Sequence, residues 1–169
     1  KVEARKSDLR VTCEGANAPE PQRYDRVLVA VGRVPNGRLI GAETAGVTVE
    51  DGIVVDDMGR VDGHEDVFAA GDVANFPIAV LGDRFRVEHE DHAKSHGRAV
   101  GANMAGAEVR YDHLPFFYSD MFDLGYEAVG EVDSRLETIE SWQEPNRKGA
   151  VAYVDYAGRP RGFLYWNVW

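Results

Sequence analysis

The sequence predicts an α/β region that gives way to an α+β region built on antiparallel strands, and three stretches carry that prediction. Val27-Leu28-Val29-Ala30-Val31 is a continuous apolar run rich in β-branched residues. Such a run reads as a strand covered on both faces, as in a parallel sheet. Glu88–Ala105 is the clearest helix. Its Ala93, His96, Gly97, Val100, Ala102 and Met104 form a small-residue stripe suited to close contact with a sheet, and Gly106 is its natural stop. From Tyr126 onward the pattern alternates as strands do: Ala128 and Val129 with Val132, then Thr138–Trp142, Val151–Tyr156 and Phe163–Trp169. Ala157-Gly158-Arg159-Pro160 is a hairpin turn between the last two.

The remaining elements follow in order. Val2 and Ala4, then Leu9, Val11 and Cys13, alternate with polar residues as one or two short strands around a Ser7-Asp8 turn. Residues 15–22 are a loop by composition. After the apolar run, Gly32 and Arg33-Val34-Pro35-Asn36-Gly37 make a turn or crossover, because Pro35 biases Val34 away from helix. Leu39–Ala45 suggests a short helix stopped by Gly46, and Val47–Val55 two strand pieces around Asp51-Gly52. Val67-Phe68-Ala69-Ala70 reads as a short buried strand ending at Gly71-Asp72, with a Gly82-Asp83 turn further on. Tyr111–Gly125 is aromatic and irregular, and a boundary is expected near residues 107–112. No internal repeat or low-complexity tract occurs.

With 169 residues, 44% hydrophobic, the chain is long enough for one domain or two small ones. Its formal charge of −10 and lack of a dense basic run argue against a nucleic-acid partner. No stretch has the length of a membrane span, and the Lys-Val-Glu-Ala-Arg-Lys start has no apolar signal-peptide core. The single Cys13 cannot form an internal disulfide, which fits a reducing, cytoplasmic compartment. The first residue is not Met, so it is not expected to be a natural start.

Several constellations could carry chemistry. Gly71-Asp72 closes a strand without a Cβ, so backbone can approach a ligand there, and an ionised Asp accepts hydrogen bonds from sugar-type hydroxyls. The alternative is an Asp that caps a turn or the next helix. Arg86-Val87-Glu88-His89-Glu90-Asp91-His92 leads into the long helix. His89, His92 and His96 share a helical face, which invites a metal. The sequence is not His-Glu-x-x-His, however, and no second cluster accompanies it. The acidic residues also suit the positive end of the helix dipole, whose free N–H groups could face an electron-rich ligand atom. Leu114-Pro115-Phe116-Phe117-Tyr118-Ser119-Asp120-Met121-Phe122 offers aromatic faces that could lie on a planar ring, or simply fill a domain junction.

Together and in order, these stretches resemble FAD-dependent pyridine nucleotide oxidoreductases. Tyr24–Asn36 looks like the segment that leaves their NAD domain, and Val67–Val73 like their second flavin motif. The first fifty residues or so look most like dihydrolipoamide dehydrogenases. From Asp66 on, Arg-Val-Glu-His-x-Asp-His and Phe-Phe-Tyr-Ser-Asp are closer to apoptosis-inducing-factor-like NADH oxidoreductases. The resemblance implies the returning half of a doubly wound FAD/NAD(P)-binding domain followed by an antiparallel C-terminal interface domain. Residues 1–36 would end the NAD-binding domain, 37–110 would be the C-terminal half of the FAD-binding domain, and 111–169 an incomplete interface domain whose last strand runs to Trp169.

The resemblance further implies that Asp72, at the Gly71 corner, binds the ribityl chain of FAD. His89 and Glu90 would face the isoalloxazine edge, Tyr118 would lie near where nicotinamide stacks, and Gly32 and Glu88 would contact NAD(H). Neither Gly-x-Gly-x-x-Gly phosphate loop of the family occurs here, nor does the Cys-x4-Cys pair of the disulfide-reducing members. The implied partners are therefore the missing N-terminal FAD/NAD domains and an unspecified electron acceptor, and a homodimer is compatible with this. The parent protein would be an NAD(P)H oxidoreductase. The alternative for these residues alone is a non-enzymatic fragment or interaction module that does not hold FAD.

Overall fold

A computed structural model of the chain describes residues 1–30, 32 and 36–168. Its contacts divide it into two compact units, Lys1–Val34 and Pro35–Trp169.

The first unit is a three-stranded antiparallel meander of β1 (Val2–Ala4), β2 (Leu9–Val11) and β3 (Gln22–Tyr24). The turn expected at Ser7-Asp8 is closed by the Arg5 amide donating to the Asp8 carbonyl at 2.8 Å. The buried strand expected at Val27–Val31 is not formed over its described part. Val27–Ala30 pairs with no strand, and Leu28 is 91% exposed. A run covered on both faces needs neighbouring strands and covering layers, and the meander supplies neither. Val31, Arg33, Val34 and Pro35 lie outside the described residues, and so does most of the expected crossover.

In the second unit the chain begins with two 3-10 turns, Gly37–Ile40 and Ala42–Ala45, where the sequence suggests one short helix. Gly46 ends the second turn in the left-handed conformation, φ 80°. A small mixed sheet follows. β4 (Ile53–Val54) pairs parallel with β5 (Ala74–Ile78), which pairs antiparallel with β6 (Asp83–Arg86). Pro77 is tolerated in this central strand because β4 pairs only with Ala74 and Asn75.

The expected strand at Val67–Ala70 is reduced to one bridge, Arg60 to Phe68, and Val67 is exposed rather than buried. Its backbone bonds go to the chain just before it: Val61 N–H to the Val67 carbonyl, and Ala69 N–H to the Gly59 carbonyl. The segment folds back on its predecessor instead of joining a parallel sheet. A short 3-10 turn, Gly71–Val73, then leads into β5.

Helix α1 spans Glu90–Met104, shorter at its start than the sequence suggests, because His89 is its N-cap in an extended conformation, φ −154° and ψ 149°. Its inner face buries His92, His96, Val100 and Asn103. Asn103 meets its buried amide's needs in full. It donates to the Met58 and Val109 carbonyls and accepts from the Val109 amide, each at 2.8 Å. That fastens the chain beyond the helix to the loop before the core. The core gathers Val55, Val61, Ala74, Phe76, Ile78, Val87 and Tyr111 under α1 and the mixed sheet.

The last part is a five-stranded antiparallel sheet in the order β7-β8-β11-β10-β9. Its strands are β7 (Phe116–Met121), β8 (Leu124–Gly130), β9 (Glu137–Glu144), β10 (Lys148–Val154) and β11 (Pro160–Trp166). β7 corrects the irregular segment expected at Tyr111–Gly125. Its aromatic run masks the alternation, since only its first two side chains are half buried. The β10–β11 turn is the one expected, with Gly158 at φ 74° and the Asp155 carboxylate accepting from the Ala157 and Arg159 amides. Gly162 in β11 is needed for space: a Cβ there would come 2.3 Å from the Glu131 carbonyl oxygen. Arg161 ties this sheet back to the loop before β6, donating to the Leu81 carbonyl and pairing with Glu131.

Candidate functional site

The site forms where the 3-10 turn after Ala70, the end of β6, the first turn of α1 and the start of β7 meet. Gly71 is buried against α1. A Cβ there would lie 3.6 Å from Ala93, an ordinary contact, so it is the φ of 71° that calls for glycine. Its amide donates to Nδ1 of His96 at 3.3 Å. Asp72 follows on the surface. Its carboxylate has no hydrogen-bond partner among the described residues, so the capping alternative finds no support there. An unpaired, exposed carboxylate beside a glycine corner remains free to accept hydrogen bonds from hydroxyls.

Arg86, at the end of β6, gathers several of these groups. Its guanidinium donates to Asp51 at 2.9 Å, to the Asp72 carbonyl at 3.3 Å and to Glu88. Burial is the largest single effect and works to lower the Arg86 pKa, but the hydrogen bonds and charges of Asp51 and Glu88 together raise it.

His89 is the N-cap of α1, its Nδ1 accepting from the Asp91 amide at 3.4 Å. Its ring meets Tyr118 edge-on, centroids 4.9 Å apart, and its Nε2 lies 3.5 Å from the Tyr118 amide. A neutral imidazole accepts at only one nitrogen, so these two long contacts are alternatives set by the tautomer. Tyr118 also donates from its hydroxyl to Glu90 at 2.9 Å. The hydrogen bond from Lys94, then that from Tyr118, lowers the Glu90 pKa, and the same contact with Glu90 raises that of Tyr118.

The three histidines of the sequence part company. His89 faces Tyr118, whereas His92 and His96 are buried in an aromatic stack with Phe76 and Tyr111. His92 Nδ1 meets the Tyr111 hydroxyl at 3.0 Å, and that hydroxyl meets Ser95 at 2.7 Å. Burial lowers the pKa of both rings, that of His96 to about 4 with help from the neighbouring His92. Among the described residues, no three His, Cys, Asp or Glu groups are arranged to hold a metal ion.

The structure thus brings Gly71, Asp72, Glu88, His89, Glu90 and Tyr118 into one neighbourhood around the leading turn of α1. Gly32 belongs to the first unit, exposed, with φ 134° and open space around it. The neighbourhood is an open face, since Asp72, Glu88 and Tyr118 are all exposed. A separate polar cleft of about 620 Å³ lies among Asp56, Arg60, His64, Glu65 and Arg84 and shares none of these residues. Sequence reasoning missed Arg86 as a hub and the burial of His92 and His96. The Arg-x-Glu spacing and the placing of both histidines on the small-residue face were the available signals.

Residues 1–97 match the family model described as pyridine nucleotide-disulphide oxidoreductase. Residues 100–160 match that of the apoptosis-inducing factor, mitochondrion-associated, C-terminal region. The apoptosis-inducing factor 1, mitochondrial, of Dictyostelium discoideum is 37% identical over 143 residues, covering 78% of this chain and 26% of that protein. The monodehydroascorbate reductase of Pisum sativum is 36% identical over 112 residues, covering 63% of this chain and 25% of that protein. Among solved structures, a ferredoxin reductase from Rhodopseudomonas palustris aligns with a TM-score of 0.78 at 27% identity. It covers 99% of this chain and 40% of that one. Putidaredoxin reductase, in covalent complex with putidaredoxin, aligns with a TM-score of 0.73 at 26% identity, covering 87% and 34%. The chain therefore spans about a quarter of the length of these curated relatives.

Proposed function

Because the chain belongs to the pyridine nucleotide-disulphide oxidoreductase family, we propose that it is the C-terminal part of a flavoprotein that passes hydride from NAD(P)H to FAD and electrons on to an acceptor. FAD and NAD(P)H are the cofactors of this family. The carrying observation is the meeting of the Gly71-Asp72 corner, the α1 N-terminus and Tyr118 on one open face. The donor set suits FAD: a free carboxylate for the ribityl hydroxyls, helix N–H groups for an electron-rich ring edge, and an aromatic side chain beside them.

Bound FAD would supply the redox chemistry, taking up the hydride and releasing electrons singly or in pairs. The chain's own residues then bind and orient. Asp72 accepts from the ribityl chain, and the α1 N-terminus with His89 favours negative charge on the ring edge facing it. Glu90 fixes the Tyr118 hydroxyl, so the phenol ring is held where nicotinamide would stack. Glu88 and Gly32 contact NAD(H) in this reading.

The same reading assigns residues 1–36 to the end of the NAD-binding domain, 37–110 to the returning half of a doubly wound FAD-binding domain, and 111–169 to the interface domain. The exposed run Val27–Ala30 supports it, because a strand of that composition calls for sheet neighbours from elsewhere. The partners would be the family's N-terminal FAD/NAD regions and, for the assembled enzyme, a second copy. No helix among the described residues is long and apolar enough to cross a membrane. A reducing, cytoplasmic setting rests on Cys13 alone, whereas the names of the apoptosis-inducing-factor relatives call those proteins mitochondrial.

Asp72→Ala in the full-length flavoprotein is expected to weaken FAD retention by roughly tenfold or more, the loss of charge-assisted hydrogen bonds. The flavin-to-protein absorbance ratio after dialysis measures it, and unchanged occupancy would count against the site. The second reading, a fragment without activity of its own, is favoured for residues 1–169 alone by the openness of the site. A stoichiometric yellow complex of these residues with FAD would contradict it.

A further inference from the structure

One Arg86 side chain reaches two distant segments, the Asp51 loop and the Asp72 carbonyl, and also Glu88 on its own segment. The side chain is largely buried, 12% exposed, although Asp51 and Glu88 lie at the surface. The loop beside it is shaped to admit it. Gly52 takes a φ of 107°, and a Cβ there would stand 2.7 Å from Arg86 Cδ and 2.6 Å from the Val73 carbonyl oxygen. Asp51 itself adopts a φ of 42°, in the left-handed region that an Asp enters at some cost. A strained Asp-Gly pair thus turns a carboxylate onto the guanidinium while leaving room for its stem.

We propose that Arg86 is a positioning residue that sets the Glu88 carboxylate and the Asp72 corner relative to each other. Glu88 gives Oε1 to Arg86, while Oε2 has no partner among the described residues and is left to accept from a carboxamide N–H. Without the guanidinium, an exposed glutamate would sample many rotamers, and that acceptor would have no fixed place. The Asp72 carbonyl is held by the same group, so the flavin-facing corner and the nicotinamide-facing carboxylate share one anchor. Lysine could not replace it, being a point charge without the planar fork that reaches several acceptors at once. This inference rests on the reading of Glu88 as a nicotinamide contact and of Asp72 as a flavin contact.

The test uses the full-length flavoprotein and a non-reducing tetrahydro analogue of NADH, titrated through the change in the flavin absorbance spectrum. Glu88→Gln is expected to weaken binding of the analogue about tenfold, as is Arg86→Met, each removing one charge-assisted contact or its support. The double variant should bind no more weakly than the weaker single one, because both act through the same carboxylate. Arg86→Lys should restore only part of the affinity. It also carries the test, alone and combined with Glu88→Gln, if the methionine variant does not fold.

Wild-type affinity in the Arg86 variants would overturn the proposal. So would losses that multiply in the double variant, or a drop in melting temperature with unchanged affinity in the flavin-loaded fraction. If Glu88→Gln itself binds like wild type, the assignment of Glu88 fails and the role of Arg86 falls with it. A loss with Glu88→Gln but none with Arg86→Met refutes the positioning role alone.

Discussion

Replacing Phe76 by alanine is expected to destabilise the protein by about 3–5 kcal/mol, the range for deleting a buried aromatic from a packed core. Phe76 is 1% exposed and sits at the centre of β5. Its ring stacks on His92 at 4.7 Å and lies 5.0 Å from His96 and 5.3 Å from Tyr111. Removing it leaves a void that these rings fill only by moving, and two of them stand on α1. The stability loss is therefore tied to function. A helix released from β5 no longer holds its leading turn against Gly71 and Tyr118. Chemical denaturation of the variant measures the first effect, and flavin content of the full-length variant the second. A loss below about 1 kcal/mol, the range of a volume-tolerant site, would mean that the aromatic stack is not as described.

Acid is the second large perturbation. His92 and His96 are almost fully buried and held neutral by that burial, with His96 lowered from 6.5 to about 4. In the unfolded chain the imidazoles titrate at their ordinary value. Between that value and the folded one the unfolded state binds more protons, so stability falls as pH falls. The contribution is fully present above pH 6.5, and His96 alone is expected to cost about 2 kcal/mol by pH 5 and about 3 kcal/mol by pH 4. His92 acts in the same direction, moderated by the Gly71 backbone and the Asp72 charge. Paired carboxylates such as Glu90 and Asp133 have lowered values, so their losses come at more acid pH and leave the window above pH 5 to the histidines. Denaturant midpoints measured from pH 7.5 to 5 test this. A flat profile would show that both rings stay neutral, or become charged, in folded and unfolded chains alike.

Local signals in the sequence foretold the parts of this fold that depend on local signals. Helix α1 carries its own stripe and stop, and the β10–β11 hairpin carries its own turn chemistry in Asp155 and Gly158. The Gly71-Asp72 corner was legible because a positive φ is written as glycine. What escaped depends on distant partners. The apolar composition of Val27–Ala30 states what the segment would bury, but not whether a sheet is present to receive it. Val67–Ala70 has the composition of a parallel strand, yet its hydrogen bonds go to Gly59 and Val61, a pairing that composition does not encode. β7 was hidden because its aromatics face a partly solvated surface, so burial and alternation no longer coincide.

The site divides in the same way. The residues at the leading turn of α1 are neighbours in sequence, and their proximity follows from the helix. That Tyr118 returns to His89 and Glu90 depends on how β7 lies against the helix, which only the fold reveals. Arg86 reads in the sequence as one more surface charge. Its burial comes from the glycine at 52, thirty-four positions earlier in the chain.

A crystal structure of the full-length flavoprotein with its FAD bound tests the central claim most directly. Asp72 is expected within about 3.2 Å of a ribityl hydroxyl, with the isoalloxazine edge at the first-turn N–H groups of α1 and Tyr118 beside the ring system. A flavin seated elsewhere, with Asp72 and the α1 N-terminus open to water, would contradict it.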